Sequence, residues 1–486
     1  MEGYSQRMEC DTRTRARIWL APVSALLIAL ASAASASAQT FGLAAAERYT
    51  LPNGLEVILS RDDRLPSVAV LMRYDVGSRD DPEGYAGLAH MVEHMTFRGS
   101  RHVPELEMLG MLERVGAQRA NATTHPDWTS YYSVVPANQV PLILWLESER
   151  MAFTLEAMTE EKFRVEQDVV LNEIGGEGSR IPQFLRHALY PPDSVYHRLQ
   201  PSDSDESAFT LENVRWFYQR WYRPDNATLA LVGRFDPERV KCEIEKYFAA
   251  IQASGEVPPR AGSTANDLVG AAELYVDEPV DREYVSVSWL APCAIADCGA
   301  DLLLASEVLS GNTQSVIDRA IVQDDHVSTG VSISLDAYDT HTLIQIRAEL
   351  QLDVEPERAR SALDEVLRRM QNETVDAQTV QQAKISLKTK TIAGFAPLLE
   401  RAEALANYRS ARGREVLYDP NAVLGGISEV TPERVRDAIR RYLPLDRRVV
   451  LYGNKNRNAP FRGSLVRQVG SALPSAERSV SGGREK

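Results

Sequence analysis

Apolar positions along the first half of the chain switch between two periods. LEVILS (55–60) and SVAVLMRYDVGS (67–78) are rich in β-branched and apolar residues and read as sheet strands. GLAHMVEHMTFRGS (87–100) and residues 105–115 then carry the helical spacing. ANATTHPDWTSYYSVV follows, with alternating Thr, Tyr and Val, and reads as one further strand. QVPLILWLESERMAF and EEKFRVEQDVVLNEIGGE are amphipathic helices. Such a mixture predicts an α/β layered unit of the α+β kind rather than a doubly wound one.

The pattern repeats. TLENVRWFYQRWYRPDNATLALVG, starting at Thr210, is echoed by TPERVRDAIRRYLPLDRRVVLYG, starting at Thr431. Each opens on a Thr N-cap with an acid two positions on, continues as an amphipathic helix, breaks at Pro and ends in a β-rich run closed by Gly233 or Gly453. Helix, proline, strand and glycine recurring in that order predict two related halves, each a mostly antiparallel sheet packed with helices. Residues 253–270, ASGEVPPRAGSTANDLVG, have the composition of a linker, so the halves are expected at 39–252 and 271–463. The polar, Gly- and Ser-rich stretch 464–486 reads as a loosely ordered tail.

Residues 1–38 stand apart. Arg13, Arg15 and Arg17 precede an apolar, Ala-rich run that ends Ala36-Ser37-Ala38, the form of a signal peptide cleaved after Ala38. Export to the periplasm or release from the cell is the expectation, with no membrane span remaining after cleavage. An exported compartment permits disulfides. Cys293 and Cys298, close together in APCAIADCGAD, could close a small loop, while Cys242 beside helix-like sequence reads as a buried thiol. The net charge of −14, without a basic cluster interleaved with aromatics, argues against a nucleic-acid partner.

The chemistry concentrates in His90, Glu93 and His94. On a helix His90 and His94 share one face with Glu93 on a neighbouring edge, so two imidazoles could grip one zinc ion beside a general base. Spacing alone leaves open a helix with two solvated histidines. A catalytic zinc needs a third protein donor and an open position. Glu166 and Glu173, two helical turns apart, project from one side of their helix, so one can reach a metal while the other supports the site. His102, His125, His187, His197, His326 and His341 are scattered without ligand spacing.

HxxEH, the later helix with ExxxxxxE, WYRPDNATLALVG, LWLESERM and GAQRANATTHPDWTSYY together resemble the inverzincin metallopeptidases of the pitrilysin, insulysin and mitochondrial processing peptidase family, in its bacterial exported, half-length form. The resemblance implies that His90, His94 and Glu173 bind Zn2+, one ion per chain, that Glu93 is the general base, and that Glu166 supports the ligands. It places Asn121 and Ala122 on a strand that pairs with an extended substrate, although three residues separate Ala117 from Asn121 where many members have two. It further implies an Arg and a Tyr, seven apart, from the C-terminal portion of the single-chain enzymes. Residues 317–335 hold Arg319 and no Tyr at that interval. A homodimer, or a heterodimer with a related chain supplying the Arg/Tyr pair, is therefore expected to complete the chamber.

These readings point to an exported zinc-dependent endopeptidase acting on peptides or unfolded polypeptides. The alternative is a non-catalytic or peptide-binding partner subunit on the same scaffold.

Overall fold

The computed structural model describes residues 46–175, 181–199, 208–252, 256–257, 259–260, 271–278, 282–407, 419–455 and 462–469. The signal-peptide reading of residues 1–38 and most of the expected linker lie outside them.

Among the described residues, two six-stranded sheets organise the chain. The first contains β1 (Glu47–Thr50), β2 (Glu56–Arg61), β3 (Ser67–Tyr74), β4 (Gln118–Thr124), β5 (Thr129–Pro136) and β6 (Ala227–Gly233), in the order β1-β2-β6-β3-β5-β4. The second contains β7 (Ala271–Glu278), β8 (Tyr284–Ala291), β9 (Ser328–Ala337), β10 (Thr342–Leu350), β11 (Val449–Lys455) and β12 (Arg462–Val469), in the order β12-β7-β11-β8-β10-β9. Each is antiparallel except for one parallel pair, β2 with β6 and β7 with β11. Both are packed with helices, as the sequence predicts.

The echoed segments take equivalent places. Thr210 and Thr431 each accept from a backbone N–H three residues on, capping the helices Leu211–Trp221 and Pro432–Tyr442, and the strands that follow are β6 and β11, third in their sheets. The terminal glycines are needed there: a Cβ on Gly233 would stand 2.2 Å from the Ser67 carbonyl oxygen, and one on Gly453 would stand 2.1 Å from the Tyr284 ring.

Three expectations change. The stretch 120–135 is two strands, β4 and β5, joined at His125-Pro126-Asp127-Trp128, where Pro126 has no N–H to give a ladder and the His125 N–H bonds the Trp128 carbonyl at 2.7 Å. The expected tail begins as β12, which pairs antiparallel with β7; residues 470–486 lie outside the described residues. Cys242 is exposed on the helix Pro237–Phe248, because its position falls on the solvent side of that helix's apolar stripe of Val240, Ile244 and Phe248. Cys293 and Cys298 form a disulfide, with 5.4 Å between their Cα atoms.

β2, β3 and β6 read as near-continuous apolar runs because both faces of the first sheet are covered. Val57, Leu59, Val68, Val70, Met72, Leu229 and Leu231 pack under helices of their own half. Ile58, Ala69, Leu71, Ala230 and Val232 pack instead against Phe395 and the helix Leu398–Asn407, which come from the second half. The loan is mutual: Leu185 and Leu189, from the helix Ile181–Leu189 of the first half, join Tyr190 and Tyr196 over Leu274, Val276, Val449 and Leu451 of the second sheet.

Polar contacts lock the same seam. Arg260, from the stretch read as a linker, reaches Asp80 at 2.8 Å in one half and Asp339 at 2.7 Å in the other. The Asp339 N–H donates to Asp127 at 3.0 Å, and the Tyr190 hydroxyl and His341 Nε2 share a hydrogen bond of 2.7 Å. Burial holds the His341 pKa down at about 4 against an ordinary 6.5. Between those values the unfolded chain takes up the proton and the folded chain does not, so stability drops as pH falls through this window. The expected share of His341 is about 2 kcal/mol at about pH 5. Denaturant melts of wild type and His341→Gln at about pH 7.5 and 5 check it: the loss on acidification should be smaller in the variant, and an equal loss in both excludes His341 as its source.

Candidate metal centre

The helix Leu88–Met95 is held from both ends and from below. Gly87, at φ 96°, opens it, and the Asp81 carboxylate accepts from the Gly87 and Ala89 N–H groups at 2.7 and 2.8 Å, capping the positive end. Leu88, Ala89, Met91, Val92 and Met95 face the core, which turns His90 and His94 away from it. At the far end the Thr96 hydroxyl donates to the Glu93 carbonyl at 2.7 Å. The buried Arg150 guanidinium in turn bonds Thr96 Oγ1 at 3.0 Å and lies 4.0 Å from the Tyr131 ring centroid.

The helix Glu160–Gly175 crosses this element with Phe163, Glu166 and Val170 buried. Two turns beyond Glu166, the half-exposed Glu173 meets the histidines. His90 Nε2 and His94 Nε2 are 3.2 Å apart, and Glu173 Oε2 lies 3.7 and 3.5 Å from them. A tetrahedral ion with bonds of about 2.1 Å separates its ligands by about 3.4 Å, so these three atoms fit three corners and leave the fourth open. Two imidazoles and a carboxylate are also a donor set suited to zinc. Among the described residues this is the one group of His, Cys, Asp and Glu close enough to hold a metal ion.

The surroundings tune the ligands. Burial, then the neighbouring His94, lowers the His90 pKa to about 4, keeping the ring neutral as a ligand must be. Burial also pulls His94 down, but Glu166, Glu173 and Glu93 together outweigh it and raise the net value. Glu166 Oε2 sits 2.9 Å from His94 Nδ1, fixing which nitrogen faces Glu173, and the Arg98 guanidinium clamps the same carboxylate. Glu93 is 8% exposed. Its carboxyl is raised by burial, against which the Thr124 hydroxyl, donating to Glu93 Oε2 at 2.6 Å, pulls down.

Asn121 and Ala122 lie on β4, an outer strand of the first sheet whose far side pairs with no other strand among the described residues. The additional residue before Asn121 is absorbed by a bulge: Gln118 opposes Val134 and Asn121 opposes Tyr132, three steps against two, with Arg119 in the left-handed region at φ 53°. Beyond the bulge the ladder is regular. Ala122 turns its side chain into the core beside the motif helix, whereas Asn121 is exposed on the opposite face.

Thr124, Arg98 and Arg150 are the site residues that sequence reading passed over. Two carried a usable signal: Thr124 is one alternation past Ala122, and Arg98 is one helical turn past His94. Arg319 is exposed on the π-helix Asp318–Asp324, 3.5 Å from the Gln314 side-chain oxygen. The other six histidines make other contacts; His102, for example, pairs with Glu149 at 2.8 Å, and His125 stacks on Trp128.

Residues 56–191 match the family model described as insulinase (peptidase family M16), and residues 208–387 match the peptidase M16 inactive domain. An uncharacterized zinc protease of Streptomyces coelicolor is 26% identical over 245 residues, 48% of this chain and 52% of that protein, so the matched stretch spans about half the length of that relative. Among solved structures, a protease from Helicobacter pylori superposes with a TM-score of 0.77 at 20% identity, covering 85% of this chain and 100% of that one. The periplasmic protease PqqL from Escherichia coli gives 0.71 at 16% identity, covering 90% of this chain and 52% of that one. The two structural likenesses speak to the fold; with both family models in sequence along it, the chain belongs to the insulinase, or pitrilysin, family of metallopeptidases, in its half-length, two-domain form.

Proposed function

We propose that this chain is an exported zinc-dependent endopeptidase that hydrolyses peptides or unfolded polypeptides. The observation that carries the reading is the meeting of His90, His94 and Glu173 at 3.2 to 3.7 Å, with the buried Glu93 carboxyl next to His94 in sequence and an open strand edge alongside.

His90, His94 and Glu173 would hold the ion. Zinc, when bound, supplies Lewis-acid polarisation of the scissile carbonyl and acidifies the attacking water. Glu93 accepts that water's proton and delivers it to the leaving amine; a carboxyl raised by burial is a better base than one in water. Glu166 and Arg98 keep His94 in the tautomer that turns Nε2 inward. β4 recruits the substrate through backbone hydrogen bonds, reading extended conformation more than side-chain identity.

The lack of a Tyr seven residues from Arg319 supports a dimer, either with itself or with a related chain that brings the Arg/Tyr pair. Export rests on the signal-peptide form of residues 1–38. Among the described residues no helix is long and apolar enough to cross a membrane.

The match of residues 208–387 to the inactive-domain model favours a second reading, a non-catalytic peptide-binding subunit. Chelation decides between them. Removing metal should abolish cleavage of an unfolded polypeptide, and about one equivalent of Zn2+ per chain should restore it. His90→Ala should lose the metal and the activity together. Full hydrolysis by metal-free protein excludes the zinc mechanism, and zinc binding without any hydrolysis selects the subunit reading.

A further inference from the structure

Thr124 ends β4 and faces two ways. Its hydroxyl donates to Glu93 Oε2 at 2.6 Å, within the range of a strong charge-assisted hydrogen bond. Its β-branched side chain leaves little χ1 freedom in a strand, and its backbone is pinned opposite Thr129, whose own hydroxyl donates to the Val76 carbonyl at 2.9 Å.

The phase of the ladder settles where its backbone groups point. The bond from His125 N to Trp128 O marks a hydrogen-bonded pair at the turn. In an antiparallel ladder such pairs alternate, so Thr123 and Asn121 bond to β5, while the N–H and C=O of Ala122 and Thr124 face the open edge. The same alternation puts the side chains of Ala122 and Thr124 on the face beside the motif helix. One residue therefore offers its main chain to an added strand and its side chain to Glu93.

We propose that Thr124 is a positioning residue for Glu93, so that the edge on which a peptide strand docks and the orientation of the general base are set by a single residue. The inference rests on the peptidase reading. Without the hydroxyl, Glu93 keeps its place on the helix but loses the donor that fixes one carboxylate oxygen, so the carboxylate is free to turn. Docking, which uses the backbone, is left intact. The expected defect lies in turnover and not in binding.

Zinc-loaded, full-length wild type, Thr124→Val and Thr124→Ser are compared on one unfolded probe, reduced and carboxymethylated α-lactalbumin, with zinc content and melting temperature measured on each. The expected result is a kcat lower by roughly ten- to a hundredfold for Thr124→Val, with KM within about twofold and zinc unchanged, and a Thr124→Ser kcat within about threefold of wild type. In the Glu93→Gln background, adding Thr124→Val should alter the residual rate by less than about twofold, since the two residues act as one unit. The fluorescence-anisotropy Kd of a labelled peptide should be the same for Glu93→Gln with and without Thr124→Val. Unchanged kcat in Thr124→Val, or a Thr124→Ser variant as slow as Thr124→Val, overturns the role of Thr124 and leaves the peptidase reading standing. A zinc-loaded wild type that hydrolyses nothing overturns both.

Discussion

Replacing Glu93 with Gln is expected to lower kcat for hydrolysis of an unfolded polypeptide by about two to four orders of magnitude while zinc content stays at that of wild type. The carboxamide matches the carboxylate in shape, so the core around Met91, Val92 and Met95 is undisturbed. Glutamine can still accept the Thr124 hydroxyl but cannot take a proton from water. Steady-state kinetics with parallel zinc determination check this. Equal kcat in wild type and variant removes Glu93 from the mechanism, whereas joint loss of zinc and activity assigns it to the ligand set instead.

Cutting the chain within residues 253–270 is expected to leave neither half soluble alone, although co-expressed halves should reassemble. The expectation follows from the exchanged helices. Without the second half, Ile58, Ala69, Leu71, Ala230 and Val232 present an apolar sheet face to water. The second sheet loses Leu185, Leu189 and Tyr196 in the same way. A single substitution reads the same seam: Leu399→Ala, at a side chain 1% exposed, should cost about 2–5 kcal/mol by leaving a cavity, and the loss should appear in one cooperative transition for the entire chain. Two separate transitions, with only the second half destabilised, would show that the halves fold independently. Metal binding should survive in the folded fraction, because the ligands all come from the first half.

These exchanged helices mark the limit of what the amino-acid pattern could tell. The repeat beginning at Thr210 and Thr431 was legible because local rules write it: a capping threonine, an apolar stripe, a proline, a β-rich run and a glycine. The unbroken apolar runs of β2, β3 and β6 signalled strands buried on both faces, but not that the second cover arrives from the other half of the chain, at Leu398–Asn407. Nothing local in that helix distinguishes it from one that covers its own half. For the same reason residues 253–270 read as a simple joint, whereas Arg260 within them bridges Asp80 and Asp339.

At the site, helical spacing was enough to align His90 with His94 and Glu166 with Glu173, since both pairs lie on single helices. The choice of Glu173 over Glu166 as the carboxylate nearest both Nε2 atoms came from resemblance, and in the structure Glu173 is the one that meets them while Glu166 holds His94 Nδ1. Thr124 escaped notice because the stretch 120–135 was read as one strand. Once the turn at Pro126 divides it, Thr124 becomes the end of an edge strand and its partner on the motif helix follows from alternation. The bulge at Arg119 was likewise visible only as an unplaced residue until the register with β5 was known.

Zinc-edge anomalous diffraction from crystals of the exported protein tests the central claim most directly. The account predicts one peak, bonded to His90, His94 and Glu173, with Glu93 on the open side. An ion-free centre, a peak elsewhere in the chain, or a Glu173 side chain turned away from the two imidazoles would contradict it.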